Sequence, residues 1–205
     1  MWSALRQEMG SGTIPGYFLQ AVPVALAAGI GYAVFRFLYI KRRRRPIQWP
    51  SEVMGLLFVC YLTGLCSLVI LPANFWLHVY DGIFLGWWEE LGTVFRLGEV
   101  NLVPVLVRCL KGEVTLGSWV KEMLVGNLAM FVPFGFFLPF LTERLKKRQA
   151  LLIAAAVPLL AESLQLFFGR SFDIDDLICN FLGIAVGLLI AQPVQLAIRR
   201  RAASR

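Results

Sequence analysis

Five apolar runs, each long enough to cross a bilayer as a helix, fall at about residues 14–40, 52–72, 119–141, 150–168 and 176–198. Between the second and third lies a longer segment, about residues 73–118, with a different pattern. There Phe84, Trp87, Trp88, Leu91, Val94 and Phe95 recur at helical spacing, while Glu89, Glu90 and Arg96 fall off the stripe. A Trp-rich stripe of this kind predicts a helix lying at the headgroup level or a re-entrant piece. After it, Asn101 to Pro104 opens a further short apolar stretch. The pattern predicts an all-α membrane protein: a polytopic bundle of about five transmembrane helices plus one outer interfacial or re-entrant helical segment, as a single domain over residues 1–205.

Local breakers refine these spans. Pro23, Gly29 and Gly31 predict a bend in the first. FVPFGFFLPF, with Pro133, Gly135 and Pro139, predicts a broken or kinked third. Gly183 and Gly187 form a G-x-x-x-G pair on one face of the fifth, the spacing that lets two membrane helices approach closely.

Composition agrees with the pattern. Of 205 residues 58% are hydrophobic and 16% charged, too little polar surface for a soluble globule of this size. The net charge of +7 does not point to nucleic acid, because the bases cluster beside apolar runs. Lys41–Arg45, Arg144–Arg148 and Arg199–Arg205 follow the first, third and fifth spans. Placing all three inside gives one consistent topology in the plasma membrane, N-terminus outside and C-terminus cytoplasmic. The segment MWSALRQEMGSGTIPG has no basic n-region and reads as retained rather than cleaved. Cys60, Cys66, Cys109 and Cys179 have no CxxC spacing, so they read as small buried or interfacial residues, not zinc ligands. A Cys109–Cys179 disulfide requires both to lie outside.

Against this apolar background the polar residues of Ala161–Gly187 stand out: Glu162, Gln165, Arg170, Asp173, Asp175, Asp176 and Asn180. An acid inside a membrane helix costs about 2.5–3.5 kcal/mol on insertion scales, so residues held there face protein or water. Given the topology, Glu162 lies roughly 9 Å, Asn180 roughly 6 Å and Asn127 roughly 12 Å inside the outer ends of their helices. All three fall in the outer leaflet, where they can meet. Glu162 and Gln165 share a helix face, as do Asp176 and Asn180. One of Asp173, Asp175 and Asp176 is expected to cap the last helix, with Arg170 as their counter-charge.

Several chemistries can be set against this constellation. Ser-His-Asp catalysis is not supported: the one histidine, His78, has no Ser motif near it and reads as an interfacial residue. No phosphate-cradling Gly-rich loop precedes a helix. A divalent cation on Asp173, Asp175 and Asp176 is one alternative, although no cofactor is predicted. A proton or ion path would need polar residues continuing to the inner leaflet, where few occur. A one-sided pocket open to the outer surface fits best.

Three elements occur in order: Asn101 to Pro104; Gly126-Asn127 through Phe131, Pro133, Gly135 and Phe136; and Glu162, Gln165, Arg170, Asp173, Asp176, Asn180 and Gly183. In this order they resemble the VanZ-like family of bacterial membrane proteins, over about residues 100–190. Val105 departs from it, standing where many relatives carry an aromatic residue. The resemblance implies a helical membrane protein associated with lowered sensitivity to teicoplanin-type glycopeptides, and it implies no particular reaction. The expected ligand-binding set is Asn101, Asn127, Glu162, Gln165, Arg170, Asp173, Asp176 and Asn180. The expected partners are membrane lipids, a lipid-linked cell-wall precursor or a lipoglycopeptide. Whether the protein is an enzyme stays open between three readings: a binder of an anionic lipid or precursor, a metal-dependent hydrolase or transferase acting on a lipid-linked phosphate, and a set of purely structural polar contacts.

Overall fold

The computed structural model describes residues 2–44, 46–113, 117–141 and 147–203. Of the three basic runs, Arg45, Arg144, Lys146 and Arg205 lie outside the described residues. The helices are α1 (Trp2–Met9), α2 (Ile14–Arg43), α3 (Trp49–Val69), α4 (Phe75–Leu85), α5 (Val105–Leu110), α6 (Ser118–Leu141), α7 (Lys147–Phe167) and α8 (Ile174–Ala203). Two two-residue strands, β1 (Val100–Asn101) and β2 (Phe172–Asp173), pair in parallel. Among the described residues five helices, α2, α3, α6, α7 and α8, are long and apolar enough to cross a membrane. They coincide with the five apolar runs, and the chain is a multi-pass membrane protein. Side chains such as Ile30, Phe35 and Leu189 are exposed on them, as lipid-facing positions are.

The segment after α3 is helical in a different place from the one its Trp stripe predicts. The helix is α4, which stops at Gly86 in the left-handed conformation (φ 78°). Trp88–Leu91 is a single 3-10 turn, closed by Gly92, also at positive φ. The two glycines cut the 84–95 periodicity, because each supplies a backbone turn that a continuing helix lacks. α6, by contrast, runs unbroken through Pro133 and Pro139. On α6 the Pro139 carbonyl accepts from Gln195 Nε2 of α8 at 2.9 Å.

The chain divides into two compact units. The first comprises Met1–Glu99 and Leu164–Arg170. α2 and α3 pack together in it, and Arg36 on α2 holds Glu52 on α3 through Nε at 2.8 Å. Its polar hub is Gln20, only 3% exposed. Gln20 Nε2 donates to the Met9 carbonyl at 2.8 Å and to Asn74 Oδ1 at 3.0 Å. Its Oε1 accepts from Leu77 N at 3.3 Å, and its carbonyl accepts from the Tyr80 hydroxyl at 2.8 Å. One side chain thus ties α1, α2 and α4 together. Burial pushes the Tyr80 phenol up from its ordinary value. Gln20→Leu strands buried donors and acceptors at a cost of about 1–3 kcal/mol each. We expect a clearly lower melting temperature in detergent; an unchanged melt would show that Gln20 is not this hub.

The second unit comprises Val100–Ser163 and Ser171–Arg205. α6 and α8 pack along each other at very short range. A Cβ at Gly183 would sit 2.3 Å from the Leu128 carbonyl oxygen, and one at Gly187 2.0 Å from that of Val132. A Cβ at Gly135 would sit 2.0 Å from the Ile184 carbonyl oxygen. The G-x-x-x-G pair therefore faces α6, and both chains advance in the same direction along the contact. Parallel α6 and α8 are what alternating crossings require of the third and fifth spans. Phe131 and Ile184, each under 2% exposed, fill the same unit's core.

Candidate functional site

In the second unit the Asn101–Pro104 element meets the aspartates of the third element through backbone pairing and helix capping, and Asn127 of the second element joins them through Asp176. β1 lies beside β2 in the register Val100 to Phe172 and Asn101 to Asp173. That register puts Asn101 Nδ2 2.8 Å from Asp173 Oδ2, to which it donates. Asn101 Oδ1 accepts from Val103 N at 3.3 Å, the side-chain turn that Asn makes two residues on. Pro104 then precedes α5, whose first amide, Val105 N, donates to Asp175 Oδ2 at 2.7 Å. The Asn-to-Pro motif is thereby a short strand, a turn and a helix start, fastened to Asp173 and Asp175.

Asp173 is the cap expected of one of the three aspartates: its Oδ1 accepts from Asp175 N, in the first turn of α8, at 2.9 Å. Its own amide donates to Glu162 Oε2 at 3.1 Å. Glu162 is completely buried, and its Oε1 accepts from Asn180 Nδ2 at 3.4 Å. Asn127 Nδ2 donates to Asp176 Oδ1, one turn before Asn180. One chain of hydrogen bonds therefore links Asn180, Glu162, Asp173, Asn101 and Asp175, and the Asn127–Asp176 pair lies on the same face of α8 as Asn180. The similar depths inferred for Glu162 and Asn180 correspond to a direct bond between them.

Not every expected residue is described with this group. Gln165 and Arg170 belong to the first unit. Gln165 is 3% exposed, and its carbonyl accepts from Phe168 N and Arg170 N at 3.0 and 3.1 Å. Arg170 Nη1 donates to the Leu68 and Leu71 carbonyls at 2.9 and 3.1 Å. A cation there suits the carbonyl end of α3. These two bonds place the Arg170 guanidinium at the end of α3.

The donors on Asp173 and Asp175 bear on metal chemistry. Both Asp173 oxygens and one Asp175 oxygen accept from N–H groups, the pattern of a cap and a loop anchor. Asn180 is different. It is 1% exposed, and its Oδ1 has no hydrogen-bond partner among the described residues. The sequence marks Asn180 by its depth, by the helix face it shares with Asp176 and by its place in the third element, but not by an unmet oxygen. The unmet oxygen depends on where Glu162 takes the amide nitrogen, which no sequence pattern specifies.

Cys60, Cys66, Cys109 and Cys179 are all free thiols, so Cys109 and Cys179 form no disulfide here.

The VanZ/LLP1 family profile matches residues 58–197, well over half of the 205-residue chain. No curated protein and no solved structure matches it. The chain belongs to the VanZ/LLP1 family.

Proposed function

We propose that this VanZ-like membrane protein binds the headgroup of a membrane lipid or lipid-linked cell-wall precursor at the outer face of the bacterial plasma membrane. In doing so it lowers susceptibility to teicoplanin-type glycopeptides, which act at the same surface. The observation that carries this reading is the unmet Oδ1 of buried Asn180 beside the Glu162 carboxylate. A buried acceptor left unpaired costs about 1–3 kcal/mol, so the position suits a ligand that brings a donor. Hydroxyl and amine groups on a precursor's sugar or peptide, or on an amino-alcohol headgroup, are such donors. This turns the expected anionic-lipid interaction toward the donor-bearing part of the headgroup rather than its phosphate.

The orientation rests on charge and length. The polar cluster lies at the start of α8, and the Arg199–Arg205 run begins more than twenty residues later. At a helical rise that separation is about 35 Å, more than a hydrocarbon core of about 30 Å. Basic residues favour the cytoplasmic side, so the cluster belongs outside and the N-terminus, one span before Lys41–Arg45, outside as well.

The test uses substitutions that keep side-chain volume, because Glu162 also holds its neighbours in place. Cells carrying the Glu162→Gln, Asp176→Asn double variant at normal membrane levels should be as teicoplanin-sensitive as cells without the protein. The purified variant should bind a lipid-linked precursor at least about tenfold more weakly, a change of about 1.4 kcal/mol. Full protection by the double variant would remove the reading.

A further inference from the structure

Four of the five buried polar atoms without a hydrogen-bond partner among the described residues lie in α1 and α4 of the first unit. They are Trp2 Nε1, Trp76 Nε1, His78 Nδ1 and Asp81 Oδ2. The last two coincide with a ligand-like grouping. His78 and Asp81 are three apart on α4 and share a face, and Glu90 comes to them from the 3-10 turn. One candidate ligand atom from each lies within 4.8 Å of the others.

Local packing explains why Glu90 is there. A Cβ at Gly82 would lie 2.5 Å from the Trp88 indole, so the ring rests directly on α4. With Trp88 seated, the 3-10 turn carries Glu90 back until its Oε2 is 3.4 Å from His78 Nδ1. Two ligands bound tetrahedrally to zinc at about 2.1 Å stand roughly 3.4 Å apart. Asp81 is fully buried. It uses Oδ1 to accept from Arg6 Nε at 2.7 Å, which leaves Oδ2 buried and unmet. A carboxylate held through one oxygen by a neighbour, with the other presented to the site, is how ligating carboxylates are oriented around metals. Arg6 also lies 3.6 Å from Glu90. The two carboxylates outnumber this one guanidinium, so a divalent ion meets net negative charge.

We infer that His78, Asp81 and Glu90 form a divalent transition-metal site of the zinc class, with Arg6 orienting Asp81. Imidazole with carboxylates is a donor set that suits zinc and its neighbours rather than calcium or magnesium. The site lies within the first unit and ties the α4 turn to α1 through Arg6. The Glu90 side chain, 40% exposed, is the ligand able to swing to complete the coordination.

The experiment is a titration of the purified, chelator-stripped full chain with zinc chloride by calorimetry, together with metal analysis after dialysis. The expected result is about one zinc per chain, with affinity weakened at least about tenfold by His78→Ala and by Glu90→Gln. Both substituted side chains are partly exposed, so these variants stay testable if Asp81→Asn fails to fold. Zinc should also raise the melting temperature of the wild-type chain but not that of His78→Ala. No saturable binding, or binding that both variants leave unchanged, would overturn the inference.

Discussion

Replacing Gly187 by Val is expected to remove most of the folded protein from the membrane fraction. The added Cβ would stand 2.0 Å from the Val132 carbonyl oxygen, 2.7 Å from Phe136 N and 2.9 Å from Gly135 Cα. These are backbone atoms, so no side-chain rotation relieves the clash and α8 must move off α6. Overpacking a well-fitted contact costs about 1–3 kcal/mol and more where the neighbours cannot yield. The moved helix also carries Asp176 and Asn180, so the polar group disperses with it. Size-exclusion profile and melting temperature in detergent, compared with Leu189→Ala on the exposed face of the same helix, provide the check. A Gly187→Val protein with wild-type yield and melt would mean that the two helices do not approach this closely.

The second large effect is expected at Glu162, where two substitutions should separate. Glu162→Ala leaves the Asp173 amide and Asn180 Nδ2 without the acceptor they share. Each stranded buried donor costs about 1–3 kcal/mol, and the removed carboxyl leaves a void. Loss of both stability and protection from glycopeptide is the expected outcome. Glu162→Gln keeps the volume and one acceptor oxygen, and Asn180 can turn its amide to present its Oδ1. Stability should then fall by no more than about one hydrogen bond, about 1 kcal/mol, while protection is still lost. Wild-type melting in both variants would remove Glu162 from its place as the buried hub.

Particular residues show how far the sequence reads. The five spans were legible because apolar length is a one-dimensional property and the bilayer selects directly for it. That one of Asp173, Asp175 and Asp176 caps a helix was legible because capping is local, needing only an acceptor before a helix start; that it is Asp173 took the structure. The helix after α3 was misplaced because the Trp stripe has the right period, yet Gly86 and Gly92 take positive φ within it. Such a turn competes with the helix on backbone energetics that side-chain periodicity does not register. Gln20 drew no attention at all. A single Gln near a span's start looks like a solvated polar residue until Met9, Asn74 and Leu77 are folded around it.

By itself, then, the sequence determined the membrane class, the five crossings, the family and which polar residues are unusual. Each of these follows from composition, period or order along the chain. Only the tertiary structure decided the partners: that Glu162 takes the Asp173 amide and Asn180, that Arg170 serves the Leu68 and Leu71 carbonyls, and that His78 faces Asp81 and Glu90. The reason is that a hydrogen bond or ligand set is fixed by distances of a few tenths of an ångström between residues far apart in the chain. Those distances are set by how closely backbones such as α6 and α8 can approach, which appears only when the glycines of one helix meet the carbonyls of another.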